Sequence, residues 1–177
     1  MEKLVALLRG INVSGQKIIP MKELQGLFEK QGLGHVKTYI QSGNVVFTSS
    51  NRKGLELLLE QAILEHFGYE VPVFIRSQEE LQDLVGKNPF ESPDREKSYL
   101  VFLEKTPTQE QFKKALEFVG TDEELVLVGK EIYLKTPSYG NTKINNNFLE
   151  NKLQQKASTR NWNTTNKLLQ MLEAIPL

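Results

Sequence analysis

The polar residues best suited to hold a ligand fall in two short segments. Arg9-Gly10-Ile11-Asn12-Val13-Ser14-Gly15-Gln16-Lys17 follows the first apolar run of the chain, and Gln41-Ser42-Gly43-Asn44 lies between two later ones. Together they offer two cations, side-chain donors from Asn12, Ser42 and Asn44, flexible backbone at Gly10, Gly15 and Gly43, and no Asp or Glu. Backbone N–H groups and cations without a nearby carboxylate suit a phosphate or carboxylate group. The glycine spacing matches neither a Walker loop nor a dinucleotide fingerprint, so no named nucleotide site is assigned. A second set lies nearer the C-terminus. Lys143 follows the polar loop Pro137-Ser138-Tyr139-Gly140-Asn141, and Arg160-Asn161 precedes Trp162 in an asparagine-rich stretch. Asn carries both donor and acceptor, which fits ribose or base edges and equally fits helix caps.

Other chemistries are poorly served. The chain has no cysteine, which removes disulfides, thiolate metal sites and cysteine nucleophiles. His35 and His66 are its two histidines, and no His-Glu-x-x-His spacing occurs. Asp122-Glu123-Glu124 reads as a solvated turn rather than an acid–base pair. With 22 basic and 22 acidic residues, no net charge draws the chain to nucleic acid or an anionic membrane. The first apolar run, Leu4 to Leu8, is too short for a secretory or spanning segment. A cytoplasmic protein with no cofactor, no metal and no membrane partner is the expectation.

The elements that position these segments can be read from hydrophobic periodicity. Lys3 to Leu8, Val36 to Ile40, Val45 to Thr48 and Val71 to Arg76 read as strands. Helices carrying Met21, Leu24, Leu27 and Phe28, and then Leu55, Leu58, Leu59, Ala62, Ile63 and Phe67, alternate with them. The order β-α-β-β-α-β is the ferredoxin-like split βαβ pattern. A short helix capped by Ser77 with Glu80 follows, then the Pro-containing stretch Lys87 to Lys97 as a linker. The second half repeats the order: a strand over Ser98 to Glu104, a helix after Thr106-Pro107, and a hairpin turning at Gly129-Lys130. Helices over about 143–154 and 162–174 complete it. The expectation is an α+β chain of two ferredoxin-like halves, 1–88 and 89–177, the second a βαββα unit ending in helices in place of a last strand.

Leu4 to Leu8, Val73 to Ile75 and Leu100 to Leu103 do not alternate polar and apolar residues, so these strands should be buried on both faces. In a βαββαβ unit the loop after the first strand and the hairpin between the second and third open at one edge. The Arg9–Lys17 and Gln41–Asn44 segments are therefore expected to converge, beside a helix that starts near Pro20 with no Ser, Thr or Asp to cap it.

The stretch Leu7-Leu8-Arg9-Gly10-Ile11-Asn12-Val13, then Met21 with Leu24, then Thr38-Tyr39-Ile40-Gln41-Ser42-Gly43-Asn44-Val45-Val46-Phe47, resembles the signature of the domain-of-unknown-function family numbered 1697. Asn88-Pro89-Phe90, Lys143 and the tail Thr159-Arg160-Asn161-Trp162-Asn163-Thr164 with Lys167 are similar to that family's motifs as well. The resemblance implies a mainly bacterial, two-part α+β protein with ferredoxin-like pieces, and carries no activity, cofactor or catalytic residue. Three function classes fit the residues. The first is a binding module for an anionic or nucleotide-like ligand, using Arg9, Gly10, Asn12, Lys17, Ser42, Gly43 and Asn44, with Lys143, Arg160 and Asn161 as further candidates. The second is an enzyme acting on a phosphorylated or acyl substrate by electrostatic positioning, and the third a structural or oligomeric protein. Nucleic acid is a less favoured partner, because only Tyr39 and Phe47 could serve as stacking aromatics on the sheet.

Overall fold

The computed structural model describes residues 1–176, which contain eight strands and six α-helices in two four-stranded antiparallel sheets. In the first half, β1 (Glu2–Leu8), α1 (Met21–Lys30), β2 (Gly34–Tyr39), β3 (Asn44–Ser49), α2 (Leu55–Phe67) and β4 (Val73–Ser77) form a sheet of order β2-β3-β1-β4. α3 (Gln78–Gly86) follows. In the second half, β5 (Ser98–Leu103), α4 (Gln109–Leu116), β6 (Glu124–Val128), β7 (Glu131–Lys135), α5 (Asn146–Leu153) and β8 (Ala157–Asn161) form a sheet of order β6-β7-β5-β8, followed by α6 (Trp162–Glu173). The α+β class and the two ferredoxin-like halves are as the sequence predicts.

The two halves are wound alike, and the likeness reaches single residues. β4 ends Arg76-Ser77 and β8 ends Arg160-Asn161, and each runs directly into a helix. Both arginines are buried, and each donates from Nη1 to the carbonyl of the preceding residue at 2.9 Å. Ser77 and Asn161 each accept an N–H from the first turn of the helix that follows, at 3.1 Å from Glu80 and 2.8 Å from Thr164. The Ser77–Glu80 pair is a full capping box, as expected, with Ser77 N–H donating to Glu80 Oε2 at 2.7 Å.

β8 corrects the expectation of a second half without a final strand. It is an edge strand built from Ala-Ser-Thr-Arg-Asn, and its ladder with β5 runs from Leu103–Ala157 to Tyr99–Asn161. No apolar alternation announces it, because its buried positions are Ala157, Ser158 and Arg160, which are small or hydrogen-bonded. The Lys87–Lys97 stretch is also more ordered than a linker. Asn88 donates to Ser98 Oγ at 3.1 Å and accepts from Phe90 N–H at 2.9 Å, and Phe90 is buried.

By compactness the chain divides into one unit of Met1–Asp83 with Lys167–Leu177 and another of Leu84–Asn166. The first unit's core joins Leu4, Ala6 and Leu8 of β1 to Leu24, Leu27 and Phe28 of α1 and Leu55, Leu59 and Ile63 of α2. Phe28 meets Phe47 of β3 edge-on at 5.7 Å. Each such side chain removed from water stabilises by about 1.5–3 kcal/mol. Phe47 is therefore a core residue and no stacking platform. The second unit's core joins Val101 and Leu103 to Ile132, Leu134, Leu149 and Leu153. On β1 the opposite-facing Val5 and Leu7 are as fully buried as Leu4 and Ala6, so the unbroken apolar strands are covered on both faces.

Candidate functional site

The topology brings the two N-terminal segments together at one end of the first sheet. Leu7 pairs with Asn44 in the β1–β3 ladder, and Leu8 N–H donates to Gly43 O at 2.8 Å. Asn12 clamps the loop onto the hairpin: Nδ2 donates to Gln41 O at 2.8 Å and Ile19 O at 3.0 Å, and Oδ1 accepts from Ile19 N–H at 2.8 Å. Asn44 is fully buried and donates to Tyr39 O and Ser42 Oγ, both at 3.0 Å. Both asparagine amides are thus engaged in building the rim. Lys17 Nζ donates to Glu70 O at 2.5 Å, which ties the loop to the segment before β4, and Arg9 N–H donates to Pro72 O at 2.9 Å.

Gly43 has φ +85°, and a Cβ there would meet Leu8 Cβ at 2.8 Å and Ile11 Cδ1 at 2.9 Å. It is glycine because the hairpin lies directly on the end of β1. Backbone conformation elsewhere in the rim is also unusual. Asn12, Ser14, Lys17 and Ile40 adopt left-handed φ without being glycine, and Gly10 and Gly15 adopt it too. Seven of the thirteen left-handed residues of the described chain lie in segments 9–17 and 40–43. For a β-branched residue such as Ile40 this costs about 1–2 kcal/mol. Ile40 is also half exposed, as are Val13 and Ile18. The sequence pattern gives no sign of these strained or exposed apolar positions.

The twin halves supply an internal comparison. In the second, β5 connects to α4 through Glu104–Thr108, and Thr108 caps α4 in a reciprocal box with Gln111, at 3.1 and 2.9 Å. In the first, β1 connects to α1 through the longer Arg9–Pro20, and no side chain caps α1. The first backbone acceptor of α1, Pro20 O, takes the N–H groups of Glu23 and Leu24 at 3.0 Å. Segments 9–17 and 41–44 contain no carboxylate, while the first turn of α1 carries one, Glu23.

The remaining candidates belong to the second unit. Arg160 is buried within β8, where Nη1 also donates to Ser158 Oγ at 2.9 Å, and Asn161 is the cap of α6. Lys143 is exposed ahead of α5. The structure gives Arg160 and Asn161 structural work. Glu123, read from sequence as a solvated turn residue, accepts from Thr136 Oγ1 at 2.9 Å, from Gly120 N–H at 3.1 Å and from Thr142 Oγ1. Partial burial opposes its ionisation, but the donors from Thr142, Gly120 and Thr136 outweigh that and hold its carboxyl below the ordinary glutamate value.

An open depression of ≈ 550 Å³ lies at the other end of the first sheet, lined by Glu2, Lys3, Ser49, Ser77 and Glu79 among others. Two of its serines are committed, Ser49 Oγ to Asn51 O at 2.7 Å and Ser77 Oγ to the helix cap. Among the described residues no three His, Asp or Glu side chains converge as metal ligands, and no helix is long and apolar enough to cross a membrane.

Comparison with known proteins agrees with this architecture. A conserved bacterial protein, SP0830 from Streptococcus pneumoniae, superposes with a TM-score of 0.77 at 26% identity, covering 97% of this chain and 98% of that one. No curated protein matches the chain by sequence. The family model described as protein of unknown function (DUF1697) matches residues 1–133, and the chain belongs to that family.

Proposed function

We propose that the Arg9–Pro20 loop and the Gln41–Asn44 turn bind an anionic, nucleotide-like small molecule. The observation that carries this reading is the contrast between the twin halves. One connection is short and its helix is capped by its own side chains. The other is long, strained and leaves the helix start without a side-chain partner. Left-handed backbone turns successive N–H groups toward a common point and is the material of anion-holding nests. Local strain of this kind collects at ligand-holding segments. The positive end of α1, the Lys17 ammonium and the Arg9 guanidinium suit the anion. The half-exposed Val13, Ile18 and Ile40 suit an apolar face such as that of a base.

Titration of the ¹⁵N-labelled chain with inorganic phosphate and with a nucleoside monophosphate tests the proposal. The expected result is saturable shifts at the amides of Gly10, Gly15, Lys17, Met21 and Lys22, stronger for the nucleotide and weakened by salt. Lys17→Ala should lower affinity about tenfold, the loss of one charge-assisted hydrogen bond. Unmoved amides between residues 9 and 22 at millimolar ligand would refute it.

A further inference from the structure

The outer face of α2 has a composition that water does not explain. Its inner positions Leu55, Leu59, Ala62 and Ile63 are buried in the first unit's core, whereas Leu58, read from sequence in the same apolar set, turns away from it. On the opposite side Leu57, Leu58 and Leu64 are 72%, 45% and 37% exposed, and the exposed Gln61 lies between them. Positions 57, 58, 61 and 64 follow the i, i+1, i+4, i+7 spacing of a contact seam, so three leucines and one amide form a stripe two turns long. A helix apolar on both sides is one that packs on both sides.

The charges at the seam's ends indicate what covers it. Lys53 is exposed just before the first turn, and Glu65 is exposed in the last turn, where Gln61 Nε2 donates to its Oε1 at 2.8 Å. Two copies of α2 packed antiparallel about a two-fold axis near Gln61 place Leu58 of each copy against Leu64 of the other. That register sets Leu57 of each copy opposite Glu65 of the other, with Lys53 about one turn further along and its long side chain able to reach back to that carboxylate, and it sets one Gln61 amide against another, each able to donate and accept. A parallel pair would instead set Glu65 against Glu65 and Lys53 against Lys53. Antiparallel packing also opposes the two helix dipoles. We propose that the exposed face of α2 is a self-association surface that pairs two copies of this chain through an antiparallel, isologous α2–α2 contact. A seam of two turns falls at the small end of specific interfaces, so the dimer is weak and concentration-dependent.

Sedimentation of the full chain from about 1 µM to about 1 mM tests this. The wild-type mass should rise with concentration from the chain mass of 20.2 kDa toward twice that value. Leu57→Glu should stay monomeric throughout. Because Leu57 is largely solvent-exposed, its thermal unfolding midpoint, measured at a concentration where wild type is monomeric, should match wild type. Lys53→Glu and Glu65→Lys should each weaken association, and the double exchange should restore it. A wild-type mass of one chain at every concentration overturns the proposal, as does association that survives Leu57→Glu and Leu64→Glu. Failure of the double exchange to recover what the single exchanges lose overturns the antiparallel arrangement.

Discussion

Replacing Gly43 by alanine should be among the most damaging single-methyl changes the first unit can suffer. Two costs add. An L-residue held at φ +85° loses about 1–2 kcal/mol relative to glycine. The added Cβ would stand 2.8 Å from Leu8 Cβ and 2.9–3.0 Å from two carbons of Ile11. Leu8 and Ile11 are fully packed, so relief requires moving the hairpin off the end of β1, at about 1–3 kcal/mol for overpacking. The sum is about 2–5 kcal/mol, a large share of the total stability of a domain. Gly15 provides the control: it has φ +72° and no atom within 4 Å of its virtual Cβ, so Gly15→Ala carries the backbone cost alone. Urea unfolding gives both values, and amide exchange at Leu8, whose N–H donates to Gly43 O, locates the damage. Equal destabilisation by the two substitutions would refute the account of Gly43 as the point where the hairpin rests on β1.

Three further outcomes are expected. Asn12→Ala removes three loop-clamping hydrogen bonds and should cost about 2–4 kcal/mol, with fast amide exchange at Ile19 as the local readout. Partial burial opposes ionisation of Glu80, yet the Arg52 guanidinium at 2.8 Å and the Ser77 N–H outweigh it and lower its pKa. Its stabilising contribution is therefore complete above the ordinary glutamate value and is lost as pH falls through the lowered one, so denaturation midpoints should fall with acidification in that range and less steeply in Glu80→Gln. Glu123→Ala strands the hydroxyls of Thr136 and Thr142 and should destabilise the second unit by about 1–3 kcal/mol, measured by urea unfolding.

The parts of the fold legible in the sequence are those held by apolar burial. The order of the first half, the Ser77 box and the Gly129-Lys130 hairpin follow from spacing, and so does the α6 face of Trp162, Thr165, Leu168, Leu169 and Leu172, all of it buried. The convergence of Asn12 with the Gln41–Asn44 turn was legible as well, since strand order dictates it. What polar groups do with one another was not. Asn12 and Asn44 look like donors for a ligand, but their amides donate to backbone oxygens, Asn12 to Ile19 O and to Gln41 O across the rim, and Asn44 to Tyr39 O. Asn161 and Ser77 have the same job at two matching strand ends, which becomes visible only once β8 is seen as a strand. β8 itself escapes detection because an edge strand can bury small and hydrogen-bonded side chains in place of hydrophobic ones.

The first compact unit contains both the earliest and the latest parts of the chain, Met1–Asp83 and Lys167–Leu177, with the whole of Leu84–Asn166 spliced between them. During synthesis, then, Met1–Asp83 must wait for the segment after Asn166 to arrive. The interrupting unit is contiguous and can settle as soon as Asn166 is out, whereas its host stays unfinished until the segment after Asn166 has followed. A chain truncated after Asn166 should carry one protease-resistant half and one still vulnerable, the reverse of the usual N-terminal-first order.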